Sequence, residues 1–141
     1  DESLRSMLIW ESNSALDLVN IAAFTLEAEI AMHDKQYETS IGLLKKAIQI
    51  EDRLNYTEPP DWFFSVRLSL GNVLLKAERY AEAEEVFNED LVTFPENGWA
   101  LKGLEKSLEG QDKIQEAYIV QKRFEKAWKW ADIEIETSRV Y

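Results

Sequence analysis

The single histidine of the chain, His33, stands four residues after Glu29, which places both on one helix face. A carboxylate and an imidazole at that spacing can share a metal ion. A catalytic zinc site uses three protein ligands, and only Glu27 lies near as a third. The plainer role is a histidine at a helix C-terminus, where a protonated ring meets the negative end of the helix dipole. Glu82, Glu84, Glu85, Glu89 and Asp90 crowd a later stretch. Acid–base catalysis needs two carboxylates in contrasting environments, whereas a run of exposed acids is a solvated helix face. With no cysteine and no second histidine, neither a triad nor a thiolate site can be built. There is also no glycine-rich phosphate loop and no nucleophile elbow. These residues point to a protein that is not an enzyme and holds no cofactor or metal.

The remaining chemistry-bearing stretch is Asn55–Phe64, NYTEPPDWFF, with Arg67 just beyond it. Pro59-Pro60 excludes helix and stiffens the connection. Asp61 is placed to cap a helix starting at Trp62. Three consecutive rings, Trp62, Phe63 and Phe64, cannot all face one core, so at least one packs under the loop or stays partly open. Arg67 can pair with Glu58 or Asp61, or lie on the Trp62 ring. Tyr56, Glu58, Trp62 and Arg67 would then form a lip beside a ligand. The favoured alternative is a structural plug between two helical pairs.

Composition narrows the class. At 141 residues the chain fits one domain by the prior of about 100–200 residues per domain. Hydrophobic residues make up 45%, enough for a core, while 5 Gly and 3 Pro are too few for a loop-rich β protein. A net charge of −11 argues against nucleic acid or an anionic membrane as the main partner. No apolar run approaches the roughly 20 residues of a membrane span. The compartment stays open, cytoplasmic or periplasmic. The opening Asp1-Glu2-Ser3, without an initiator Met, suggests the C-terminal piece of a longer protein.

The elements that would position these residues read as helices. Residues 3–12 suggest a short N-terminal helix. Asn13-Ser14 offer a cap for a second, Ala15 to about Asp34, whose apolar residues Leu16, Val19, Ala23, Leu26 and Ile30 recur at helical spacing. A third runs from Tyr37 to about Leu54. Between Arg67 and Pro95 lie two more, turning near Glu78-Arg79. Leu70, Gly71 and Leu74 share a face of the first, and Tyr80, Ala83, Phe87 and Leu91 a face of the second. Gly71 and Ala83 are small where those helices cross. A last pair opens at Trp99, turns at residues 109–112, and runs on to about Glu136 as a capping helix. Tyr37, Tyr80 and Ile114 head corresponding helices, 43 and then 34 residues apart, and the 55–64 insert absorbs the excess.

The Leu-Gly, small, aromatic, Glu-Ala, aromatic, Pro order in 67–95 resembles the tetratricopeptide signature, whose period is about 34 residues. More closely, the chain is similar to a bacterial tetratricopeptide family with no assigned reaction. The resemblance rests on Tyr56-x-Glu58-Pro59-Pro60-x-Trp62, Arg67-x-Ser69-Leu70-Gly71, Glu82-Ala83-Glu84 and Pro95-x-Asn97-Gly98-Trp99-Ala100-Leu101-x-Gly103-Leu104, and Ala127-Trp128, Ala131-Asp132 and Ser138-Arg139 also fit it. It implies an all-α, right-handed superhelix of about three helical hairpins, pairs 15–54, 61–94 and 98–136, in a single domain. It further implies a concave groove lined by the first helix of each pair. Transferred to this chain, that groove takes Glu29 and His33, then Ser65, Ser69, Asn72 and Lys76, then Trp99, Lys102 and Lys106. Asn72 is similar to the asparagine of the family's carboxylate clamp. The expected function is a non-catalytic scaffold binding a protein or peptide segment, acidic or C-terminal in character. The alternative is a structural domain that packs on its parent chain or forms a homodimer through Trp10, Trp128 or Trp130.

Overall fold

Three turns set the architecture, and all three use the same backbone device. At Lys35, Glu78 and Asp112 the chain enters the left-handed region, with φ of 59°, 58° and 58°. The next residue's N–H then reaches back five residues: Gln36 to the Ala31 carbonyl, Arg79 to Leu74 and Lys113 to Leu108, at 2.8, 2.9 and 3.0 Å. The left-handed residue's own N–H bonds three residues back in each case. This pair of bonds ends a helix by satisfying its last carbonyls. A new helix starts at once, as Ser40, Ala83 and Ala117 donate to the carbonyls of Gln36, Arg79 and Lys113. The turns recur at the 43- and 34-residue spacing expected from the sequence.

The computed structural model describes residues 2–9 and 11–139. The protein is all-helical apart from one short ribbon. The elements are α1 (Glu2–Ser6), β1 (Leu8–Ile9), β2 (Asn13–Ser14), α2 (Ala15–His33), α3 (Tyr37–Glu51), α4 (Val66–Lys76), α5 (Tyr80–Thr93), α6 (Gly98–Glu109) and α7 (Ile114–Ala127). Two compact units share them, residues 1–66 and 67–141.

In the N-terminal unit, α2 and α3 form a hairpin. Ile21, Ala28, Ile41, Leu44 and Ala47 fill their contact, and the buried Ser40 hydroxyl donates to the Ala28 carbonyl at 2.8 Å. The expected α2 face is corrected here. Val19, Leu26 and Ile30 lie on the exposed side, and Ile21, Ala28 and Met32 turn inward. Apolar residues line both sides of this helix, so periodicity alone does not choose between them. The expected helix over 3–12 is also corrected. It stops at Ser6, and an antiparallel ribbon follows, pairing Leu8 with Ser14 and Ile9 with Asn13. Asn13 explains the change. Its amide brackets the Asn55 backbone, accepting from the N–H at 2.7 Å and donating to the carbonyl at 3.0 Å, and it also donates to Asp61 at 2.8 Å.

That same network uses up Asp61, so no helix starts at Trp62. α4 begins at Val66, whose N–H is held by both carboxylate oxygens of Glu51 at 3.1 Å. A carboxylate from another helix thus takes the role expected of Asp61.

The C-terminal unit is organised around Phe87. Its ring is fully buried, and a Cβ built on Gly71 or Gly103 would meet it at 2.3 or 2.2 Å. Glycine is therefore needed at both positions, on α4 and on α6, because the ring of α5 lies against each backbone. Tyr80 rests on Gly110 and Trp128 on Gly98 in the same way. Between α5 and α6 the buried Asp90 accepts from Asn97 Nδ2 at 2.9 Å, while Asn97 Oδ1 caps the Trp99 N–H at 3.1 Å. Glu84 accepts from Gln111 and Lys113 at 2.7 Å, tying α5 to the α6–α7 turn. The last helix ends at Ala127, well before Glu136. The chain leaves it at Trp128, whose N–H still bonds Phe124 at 2.8 Å.

Gly103→Ala should lower unfolding free energy by about 1–3 kcal/mol, since the added carbon overpacks a filled site. Gly42→Ala, where a Cβ meets nothing within 4 Å, should instead add up to about 1 kcal/mol by helix propensity. Urea titration of both variants checks the contrast. Hydrogen bonds from Lys113 and then Gln111 hold the Glu84 carboxyl below its ordinary 4.5. Its contribution to stability is therefore full above pH 4.5 and is lost as pH falls through the folded-state value. Glu84→Gln should reduce stability at pH 7 and flatten the acid limb of a stability–pH profile.

Candidate functional site

A cleft of about 780 Å³ opens in the C-terminal unit. α4 supplies Asn72 and Lys76, and α6 supplies Lys102 and Lys106. Residues 135–137, from the segment after α7, form another wall. Four of the nine groove residues expected from the sequence, Asn72, Lys76, Lys102 and Lys106, thus line one cleft.

The course of α4 explains the cleft floor. Every residue from Leu68 to Leu74 is buried, so this helix has apolar neighbours on most sides. Of its polar positions Ser69 and Asn72, one turn apart, Asn72 lines the cleft. Ser69 accepts a hydrogen bond from the Arg139 guanidinium. On α6, Lys102 pairs with the buried Glu105 at 2.8 Å and sits 4.4 Å from the Phe124 ring centre. Lys106 pairs with Glu109 at 2.9 Å. Its pKa is raised first by that hydrogen bond, and further by the charges of Glu109, Glu105 and Glu136. The two α6 lysines are accordingly part-neutralised by their own helix.

Trp99 takes another position. Its ring meets Trp128 edge-on at 5.5 Å between centroids. Glu29 and His33 belong to the N-terminal unit, where His33 is exposed. Among the described residues, no group of three or more His, Cys, Asp or Glu side chains could hold a metal ion.

The four expected lip residues divide between the units. Tyr56 is 82% exposed, and its hydroxyl donates to Glu58, whose carboxylate raises the phenol's pKa through that bond. Trp62 is half-buried, and Phe63 beside it is 84% exposed. Arg67 lies in the C-terminal unit, where its Nε meets Glu89 at 3.2 Å. The insert itself is fastened through Asn13, Asn55 and Asp61, with Thr57 Oγ1 accepting from the Asp61 N–H at 3.1 Å. Of the aromatics named for a homodimer, Trp10 lies outside the described residues, Trp128 is packed, and Trp130 is exposed.

Sequence reasoning gives the returning segment, 132–139, no part in the cleft. Ser138 is fully buried and donates to the Leu68 carbonyl at 3.0 Å. Its signal was present in Asp132-Ile133-Glu134-Ile135-Glu136, a strict polar–apolar alternation of period two. That period belongs to extended chain, not to a continuing helix.

No family model matches this sequence, and no curated protein matches it either. No described helix is long and apolar enough to cross a membrane.

Proposed function

We propose that the chain is a non-catalytic interaction module of tetratricopeptide type, a right-handed helical-hairpin superhelix that binds an extended acidic segment of a partner in the α4–α6 cleft. One observation carries the reading: an acidic stretch of this chain, residues 135–137, already forms a wall of that cleft, and just beyond it the Ser138 hydroxyl bonds the Leu68 carbonyl and the Arg139 guanidinium bonds Ser69 on α4. The repeat assignment is supported by the three turns of one construction at Lys35, Glu78 and Asp112. Extended-peptide recognition uses main-chain and hydroxyl hydrogen bonds for affinity, with side-chain contacts for selectivity. Lys76, Lys102 and Lys106 favour carboxylates over cations, and the overall charge of −11 keeps acidic chains away from the rest of the surface.

Titration of the isotopically labelled chain with an acidic, isoleucine-containing octapeptide should shift amide resonances in residues 69–76 and 102–109. Lys76→Glu combined with Lys106→Glu should weaken that binding about tenfold, given roughly 0.2–1 kcal/mol per exposed charge pair and its reversal. Shifts confined to other regions would remove the reading.

A second reading, docking against a further part of the parent protein or against a second copy, is favoured by α2. Leu26 and Ile30, 64% and 56% exposed, continue a stripe with Val19 and the exposed Ala23 along one side. Isolated apolar residues on a surface need no explanation, but a continuous stripe marks an interface. Light scattering should find a dimer that Leu26→Glu dissociates. A monomer at every concentration would count against self-association.

A further inference from the structure

The return of the chain after α7 is held at three points. Trp128 is the first. Its ring stacks on Phe124 at 5.7 Å, rests on Gly98, and meets Trp99 edge-on. Its indole N–H then donates to the Ile133 carbonyl at 2.8 Å, closing a short bend that reverses the chain. The second point is the cleft, where residues 135–137 form one wall opposite residues of α4 and α6 and Glu136 adds its charge near Lys106. The third is the far end, where Ser138 and Arg139 bond Leu68 and Ser69.

Apart from the packed Trp128 ring and the buried Ser138, this segment lacks the marks of a core element. The segment has no regular secondary structure, and Asp132, Ile133 and Glu134 are exposed. Its fastening is mainly a few hydrogen bonds, each worth about 0.5–1.5 kcal/mol net. Attachment at this level opens far more readily than a packed helix. Its chemistry complements the cleft: acids and aliphatics alternate, a buried hydroxyl follows, and one guanidinium completes it.

We propose that residues 132–139 are a displaceable internal ligand of α4, a strap that walls the cleft until a partner segment of like chemistry takes its place. The proposal rests on the reading of the cleft as a peptide site. Because the strap is tethered, it competes at an effective concentration near millimolar. An external segment with equal contacts is therefore disfavoured until the strap is released. The matching partner segment is acidic and extended, with aliphatic residues two apart and a hydroxyl three residues after the second.

The test uses a fluorescent peptide with the sequence of residues 132–139, titrated with the full chain and with two strap variants. Ser138→Asp puts a carboxylate where a fully buried hydroxyl sits. Trp128→Phe keeps an aromatic ring but removes the bond to Ile133. Neither alters α4 or the cleft-facing residues of α6. Both should bind the peptide at least tenfold more tightly than the unaltered chain, and Lys76→Glu with Lys106→Glu added to either should reverse the gain. Circular dichroism identifies which variants are folded, and either one suffices for the comparison. Equal binding by the unaltered chain and a folded variant would overturn the strap while leaving the peptide cleft standing. No binding to any of them at millimolar peptide would overturn the cleft as a peptide site, and the strap with it.

Discussion

One ring held between two bare backbones governs the C-terminal unit. Phe87 projects from α5 toward Gly71 on α4 and Gly103 on α6, with no side chain on either to keep it away. Burying a phenylalanine completely is among the largest single hydrophobic contributions available to a small unit. The contact also fixes geometry, because two helices that approach one ring that closely cannot shift without losing dispersion contact. The spacing of α4 and α6 is the width of the cleft. Asn72 and Lys76 of α4 line one cleft with the lysines of α6 because Phe87 sets how far apart their helices stand.

Electrostatics in the cleft are more muted than a count of lysines suggests. Lys102 is bound to Glu105, a buried carboxylate, and also sits over Phe124. Lys106 is bound to Glu109. A buried carboxylate needs a partner to offset its lost hydration, so Lys102 is committed to structure. In the proposed binding role, the cleft would discriminate between acidic and basic chains without holding an acidic chain tightly by charge alone.

Much of the all-helical hairpin pattern was legible in the sequence, and each success has a local cause. The turns near 35, 78 and 112 and the starts at Tyr37, Tyr80 and Ile114 follow from hydrophobic spacing and small residues at crossings. Gly71 follows from the small residues at the helix crossing, and the register transferred from the resemblance names Asn72, Lys76, Lys102 and Lys106, which line one cleft. The errors cluster where non-local bonds override local preference. Asn13 reaches Asn55 and Asp61, 42 and 48 residues away, converting an expected helix into a ribbon and removing an expected cap. Glu51 then caps α4 from a distance of 15 residues. Helical spacing groups Val19, Leu26 and Ile30 on one face, yet that face is the outer one, because α2 is apolar on two sides. The acids and alanines before the returning segment favour helix, while the alternation from Asp132 to Glu136 is the pattern of extended chain.

The construction of the turns also decides where this chain can change length. Each helix rotates by about 100° per residue. One residue inserted at Glu78 or Asp112 would swing the following helix by that angle and carry Phe87 or Ala117 off its seat. The link between α3 and α4 has no such phase to transmit. It crosses 14 residues, 52–65, without a helix, and the surplus of the 43-residue interval is stored there. Insertions and deletions among divergent versions of this architecture belong in links of that kind, while the hairpin turns keep their length and vary only in side chain.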